Sequence, residues 1–506
     1  MSASVQEKDR HVFPRWRSFK ATSRLGELAL PAVELEVDTS ELDVSLAKGV
    51  AGWKGDPSLW RGLDLLGTAV VAGRLQDFAA LVAEIRDNPL APIFARNVLG
   101  RTLAAELDKA PLSDCDGISN VGARQEIRAS RVRLASAPRD AIEWTELARA
   151  YTIAGLNDKA SKAIAAALHL SPSNRFVLRS AARFFLHCGE KERALALLGK
   201  APTIKHDPWI LASEIAIADS LGKASRHSRL AREKVGMDIA PSELTELASA
   251  LGSLEAESGN HRNARRFLRQ ALVGANENSI AQIGWLNRSR LGEWVDASKA
   301  NPPLLHEANA WNSFYKGEFE AARQESLCWF RDQPFASAPA ALGSYILADI
   351  FWDYKGAKEL AQAGLRSNPD DLTLLNNLAV CLMELDELTE AEAALSRVKA
   401  EGRGAKIDST YKATFGMLAF RKGDHVEGRR LYLEAIEGAK NSGSKQNAAR
   451  AAFHLVFEEI VAQSGYVEDS IRRLREFEGI EGFKEWPRFF ERVNALMRAG
   501  VESGLG

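Results

Sequence analysis

Glycine, or a residue able to replace it in a turn, recurs along this chain at a nearly fixed interval. Gly155, Gly189, Gly222, Gly259, Gly317, Trp352, Asp386 and Gly423 stand 34, 33, 37, 58, 35, 34 and 37 residues apart. An interval of about 34 residues is the signature of a helix pair stacked on copies of itself. One such pair cannot bury its apolar face alone, so the recurrence dictates an array. Small residues follow the turns where two helices must cross closely: Ala160, Ala194, Ala264, Ala322, Ala357, Ala391 and Gly428. Pro172, Pro334 and Pro369 stand where second helices must stop. With only 17 prolines in 506 residues and 46% hydrophobic residues, the chain is free to be helical and to bury a large core.

The window from 141 to 174, AIEWTELARAYTIAGLNDKASKAIAAALHLSPSN, shows one unit in full. Trp144, Leu147, Ala148 and Tyr151 share a face of a first helix, Gly155 turns the chain, and Ala160, Ile164 and Ala167 line a second helix. Trp144, Leu147, Tyr151, Ala160, Ile164 and Pro172 together resemble the tetratricopeptide repeat. The departure is Ala148, where that family prefers glycine. The resemblance implies an all-α, right-handed superhelical solenoid of stacked antiparallel helix pairs. It implies protein or peptide binding as the activity.

The expected organisation has four parts. Residues 1–55 form an N-terminal segment, extended at first, with one short strand at AVELEV and helix resuming at ELDVSLAKGVAGW. Residues 56–140 are degenerate repeats, with Leu66-Gly67 and Ala79-Ala80 in the repeat places of 57–90 and a clear second helix but a poor first one in 107–139. Residues 141–440 are the array, and 441–506 a helical cap ending in EWPRFFERVNALMRAG. The 58-residue step holds a shortened extra helical element closed by Pro302-Pro303.

Catalytic patterns are missing. There is no HExxH, GxSxG, strand-linked GxGxxG or EF-hand loop, and GAKNSGSK at 438–445 has a serine where a phosphate loop needs lysine. Nine scattered histidines offer no ligand spacing, so neither metal nor cofactor is expected. Cys115, Cys188, Cys328 and Cys381 lie at least 53 residues apart, which fits a reducing compartment. The 66 basic and 67 acidic residues exclude a strongly cationic nucleic-acid coat. The N-terminus carries no apolar signal, and no run of 18 apolar residues appears, so a cytoplasmic protein without a membrane span is expected. Glu458 and Glu459 are read as solvent-facing.

The binding surface is expected in the groove lined by first helices, at the residue six before each turn: Arg149, Arg183, Ala216, Ser253, Trp311, Ile346, Val380 and Met417. Arg149, Arg179, Arg183 and His187 make a basic stretch suited to an acidic peptide or a carboxylate. Trp311 and Tyr315, with Phe314, begin an aromatic stretch in which Trp311 is the groove residue; Phe314 and Phe420 read as core. The chaperone-tail clamp of the family is not carried over, because its places hold Thr145, Arg149 and Thr152. Basic runs at 223–234 and 262–269 fall on outer helices with acids nearby, so nucleic acid is disfavoured. Phe13, Trp16 and Phe19 recur every three residues among Arg15 and Arg17. Such a segment must dock, on its own array or on a partner. The expected function is a non-enzymatic scaffold or adaptor that grips another protein. Alternatives are a peptide-sensing regulator and, behind it, a nucleic-acid-associated subunit; self-association through the array stays open.

Overall fold

A computed structural model describes residues 10–19, 39–71, 74–88, 120–289, 294–401, 409–480 and 483–503. They fall into two units, 29–115 and the remainder. Among the described residues there is no strand; AVELEV and the first helix expected in 107–139 lie outside them.

The small unit holds α1 (Thr39–Gly55), α2 (Leu59–Val71) and, after a 3-10 turn at Leu75–Phe78, α3 (Ala79–Asp87). Leu46 of α1 shares one core with Leu65, Leu66, Leu81, Val82 and Ile85. The helix at 39–55 thus packs with its followers. Ala79 and Ala80 are exposed, because the 3-10 turn delays the start of α3. The close crossing is made by Gly62, where a Cβ would stand 2.7 Å from the Ile85 Cδ1 atom.

The large unit opens with α4 (Asn120–Ser136) and continues as helix pairs: α5 (Ala141–Ile153) with α6 (Asn157–Leu170), α7 (Arg175–His187) with α8 (Lys191–Gly199), α9 (Pro208–Ser220) with α10 (Ser228–Val235), and α11 (Pro241–Glu257) with α12 (His261–Val273). Then α13 (Glu277–Arg288) stands without a second helix, since 294–305 are irregular. Trp294 and Val295 fill that place against Ala248, Ala264 and Leu268, which accounts for the long 58-residue step. Pairing resumes with α14 (His306–Lys316) and α15 (Phe319–Asp332), α16 (Ser337–Tyr345) and α17 (Tyr354–Ser367), α18 (Leu372–Glu384) and α19 (Leu388–Glu401), α20 (Ser409–Arg421) and α21 (His425–Asn441), and α22 (Lys445–Val461) and α23 (Val467–Arg475); α24 (Trp486–Ser503) ends the chain. The fold is an all-α solenoid of stacked antiparallel pairs.

Local chemistry sets these boundaries. Asp140, Asn174, Asp207, Asn276 and Asp371 cap first helices, each accepting from main-chain N–H groups of the first turn. All eight turn residues are left-handed, from φ 57° at Trp352 to 86° at Gly423. Behind Gly155 the Leu156 N–H donates to the Tyr151 carbonyl at 2.9 Å, the closing bond of a Schellman turn, and equivalent bonds follow Gly189, Gly222, Gly259, Gly317, Asp386 and Gly423. Trp352 differs because a π turn at Ile346–Ile350 inserts one residue before it. The crossing residues Ala160, Ala194, Ala264, Ala322, Ala357 and Ala391 are all fully buried.

Two contacts join distant parts of the unit. The Ser367 hydroxyl donates to the Ile153 carbonyl at 3.0 Å. A Cβ on Gly155 would lie 2.1 Å from the Arg366 carbonyl oxygen, so α17 abuts the first complete turn. At the other end, α24 reaches back beyond α22. Phe489 stacks on Phe453 with centroids 4.2 Å apart, the Tyr345 hydroxyl donates to Glu485 at 3.2 Å, and Arg492 lies 3.7 Å from Glu384. Glu458 and Glu459 are buried, not solvent-facing: Arg421 bonds the first at 3.0 Å and Arg429 the second at 2.8 Å. Burial, with Glu384 adding to it against the pull of Arg421, pushes the Glu458 carboxyl up to about 7.

Gly155 and Gly189 share the left-handed conformation, but only Gly155 has a neighbour in the way. Gly189→Ala should cost about 1–2 kcal/mol, the ordinary penalty for a left-handed alanine. Gly155→Ala should cost clearly more. Equal shifts of the two urea midpoints would show that the contact with α17 does not form.

Candidate peptide-binding groove

Residues 10–18 have no regular secondary structure and run across the first helices of the large unit. Three arginines carry most of the contact. Arg10 donates to Gln282 and Asn278, both at 2.8 Å, and to Glu307 at 2.9 Å. Arg15 pairs with Glu307 and donates to Gln333 at 3.1 Å. Arg17 bonds Glu277 at 2.6 Å and grips Asp332 in a two-pronged fork at 2.7 and 2.6 Å. His11 meets Asp219 at 3.1 Å.

The backbone of the segment is held separately. The Gln282 amide donates to the Arg10 carbonyl at 2.8 Å, and the Asn278 amide to the Phe13 carbonyl at 2.9 Å. The Phe19 N–H donates to Glu146 at 2.8 Å. Asn278 and Gln282 are four residues apart on α13, so one helical face presents both amides. Trp16 has no exposed surface. Its ring meets Phe184 edge-on at 6.2 Å and Phe335 at 5.5 Å, while Phe19 stands edge-on to Phe176.

Charge makes this arrangement possible. Glu277 and Glu307 lie in the first turns of α13 and α14, where helix dipoles favour a carboxylate. Burial alone would push the Glu307 carboxyl up, yet Arg10 and Arg15 hold it well below its ordinary value. Asp332 is likewise lowered, its burial outweighed by Arg17. Burial also opposes the charge of Arg15, but Glu307 and Glu277 raise its pKa on balance.

The residues expected in the groove differ in where the fold puts them. Arg179, Arg183 and His187 do gather on α7. Arg179 is buried and neutralised by Glu246 at 2.9 Å, with Trp209 under its guanidinium at 4.8 Å. Arg183 lies over the Phe335 ring at 5.1 Å; burial and the neighbouring Arg15 bring its pKa down to about 10. His187 packs edge-on against Phe335, and burial, then Arg183, lowers it to about 4, so it adds no charge at neutral pH. Arg149 is half-buried near Glu146. The face toward the segment is therefore acidic and amide-lined rather than basic. Phe13 packs against the core beside Trp16. Trp311 is 3% exposed, covered by its helix neighbours Phe314 and Tyr315, so it is a core residue here and not a free anchor. Tyr315 is 43% exposed, with the Arg288 guanidinium 5.7 Å from its ring. In the outer basic runs, Arg229 and Arg232 pair with Glu233 and Glu255, whereas Arg262, Arg265, Arg266 and Arg269 stay exposed. The 438–445 stretch is the α21–α22 turn.

The residues that hold the segment, Glu277, Asn278, Gln282, Glu307 and Asp332, were not found from sequence. The expected register counts back from turn residues, and none of those falls directly after α13. The available signal was the amide pair at 278 and 282 on a helix whose period faces inward.

A family model for the tetratricopeptide repeat matches residues 353–413, which span α17, α18, α19 and the start of α20. Those residues match as a tetratricopeptide repeat. Solved structures similar to this chain include a human IFIT1 dimer with m7Gppp-AAAA, at 16% identity and a TM-score of 0.35, covering 70% of this chain and 90% of that one. Another is the APC/C hetero-tetramer Cut9-Hcn1, at 11% identity and a TM-score of 0.37, covering 94% and 99%. No curated protein matches the sequence. No helix among the described residues is long and apolar enough to cross a membrane.

Three outcomes follow from this geometry. Trp311→Ala should cost about 3–5 kcal/mol of folding stability, as for other core tryptophans, measured by urea denaturation; an unchanged midpoint would return Trp311 to the groove surface. Trp16→Ala should cost a similar amount. For Glu307 the sign is fixed by its lowered pKa. Its contribution is complete above the ordinary carboxylate value of 4.5 and is lost as pH falls below that. Glu307→Gln should therefore destabilise the chain by about 3–5 kcal/mol at pH 7 and show a shallower loss between pH 5 and 3 than the wild type. Parallel pH curves would remove Glu307 from the buried pair.

Proposed function

We propose that the chain is a non-enzymatic, protein-binding scaffold or adaptor whose groove takes an extended polypeptide segment from another protein. The observation that carries this reading is the presence of such a segment in the groove, with its main-chain carbonyls held by Asn278 and Gln282 and an N–H by Glu146. Side-chain amides that bond main-chain groups accept any extended chain, whatever its sequence, while buried carboxylates select cationic side chains. Nothing in that arrangement performs bond chemistry. It grips.

Native co-purification with mass spectrometry tests the reading. The wild-type chain should retain a partner in stoichiometric amount. Asn278→Ala with Gln282→Ala should reduce it at least about tenfold, the effect of losing buried hydrogen bonds at an interface centre, at unchanged helical content. Glu146→Ala, which removes the acceptor of the Phe19 N–H, serves if the double variant melts early. A partner retained equally by the variants would place binding elsewhere. A nucleic acid retained in its stead would overturn the reading.

A further inference from the structure

The segment in the groove belongs to the chain itself, and its fit is incomplete. The indole N–H of Trp16 and the Nε of Arg15 are buried with no hydrogen-bond partner, the Arg15 Nε lying 4.0 Å from Glu277, too far for a hydrogen bond. Arg183 is repelled by Arg15 more than it is drawn by Glu307, and among the described residues no carboxylate forms an ion pair with it. Each buried donor left without an acceptor weakens an occupant by roughly tenfold or more. A tether offsets such a deficit. A segment held on the same chain meets its groove at an effective concentration on the order of millimolar, so a mediocre ligand still fills the site.

We propose that residues 10–19 are an intramolecular stand-in for the groove's ligand, displaced by an extended partner segment that sets arginines around a large aromatic residue in the pattern of Arg10, Arg15, Trp16 and Arg17. This rests on the protein-binding reading above and gives its partner a chemistry. The selective part of the groove is what fixes the pattern. Glu307 and Glu277 with Asp332 demand cations five and seven residues after the start of the bonded stretch. The slot between Phe184 and Phe335 demands a ring between them. A partner segment that also turns an acceptor toward Arg183 fills the site more completely than the tethered one. It then wins without needing the tether.

The test uses the full chain with a specific protease site placed within residues 20–38, so that the tether is cut while every repeat remains. The probe is a dye-labelled synthetic peptide of residues 8–19, followed by fluorescence anisotropy, with native mass spectrometry to count bound fragments. The uncut chain should take up no label at micromolar peptide. The cut chain should exchange its own fragment for the label, one for one. Peptides carrying Trp16→Ala, or Arg15→Ala with Arg17→Ala, should bind at least about 30-fold more weakly, as for interface hot spots. A cut chain that keeps its fragment and admits no label overturns the proposal, because the segment is then a fixed part of the core. So does loss of helical circular dichroism once the fragment leaves. A scrambled peptide that binds as well as the native one also overturns the pattern, yet leaves the protein-binding reading standing; that reading falls only if the groove variants above keep their partner.

Discussion

A carboxylate taken out of water must be met by a cation and by enough donors to replace its hydration. In this chain Glu277, Glu307 and Asp332 are withdrawn from solvent together, and the cations that meet them come from a segment more than 250 residues away in sequence. Without an occupant, the ends of α13, α14 and α15 that carry these acids would hold buried charge uncompensated. Arg10, Arg15 and Arg17 thus complete the electrostatics of the array, and Trp16 completes its apolar core between Phe184 and Phe335. The like-charge contact of Arg15 with Arg183 is the cost of concentrating so much positive charge in one stretch.

The groove exists at that place because the turns hold the helices in phase. A left-handed residue at each turn lets the chain reverse within three residues, and a small residue after it lets the two helices approach. Gly428 illustrates the second condition. A Cβ there would lie 2.5 Å from the Phe420 ring and 2.9 Å from the Gly416 carbonyl. Where the rhythm fails, at α13, the missing second helix is replaced by Trp294 and Val295. The exception bears directly on the seat of residues 10–18, since α13 is the helix that supplies Glu277, Asn278 and Gln282. Its inner face is polar and buries all three.

The fold was legible because its determinants are local. Turn residues, crossing alanines and terminating prolines act within one repeat and recur, so one misread position costs little. Asp386 and Trp352 were found by phase alone despite lacking glycine's freedom, and both are left-handed. The groove was less legible because its contacts are long-range. Nothing near Glu307 in sequence announces Arg10 as its partner. The aromatic-basic alternation at 13–19 did announce that those residues must be covered, and by what kind of surface, but not which acids would supply it. Arg179 shows the converse error: its helical face was read correctly, while Glu246, 67 residues on, cancels its charge.

Both ends of the large unit fold back on first helices, but they do so by different physics. α24 satisfies its own main-chain groups, so the helices beneath it need offer only side-chain contacts such as Phe453 to Phe489 and Glu384 to Arg492. Residues 10–18 satisfy almost none of theirs internally, and the array must supply the missing donors and acceptor through Asn278, Gln282 and Glu146. A surface that provides for an occupant's main chain differs in kind from the seat of α24. Replacing a docked helix requires matching its side-chain face in full. Replacing an extended segment requires only that the new chain be extended and carry cations and a ring at the spaced positions, because the amides on α13 hold every extended backbone alike.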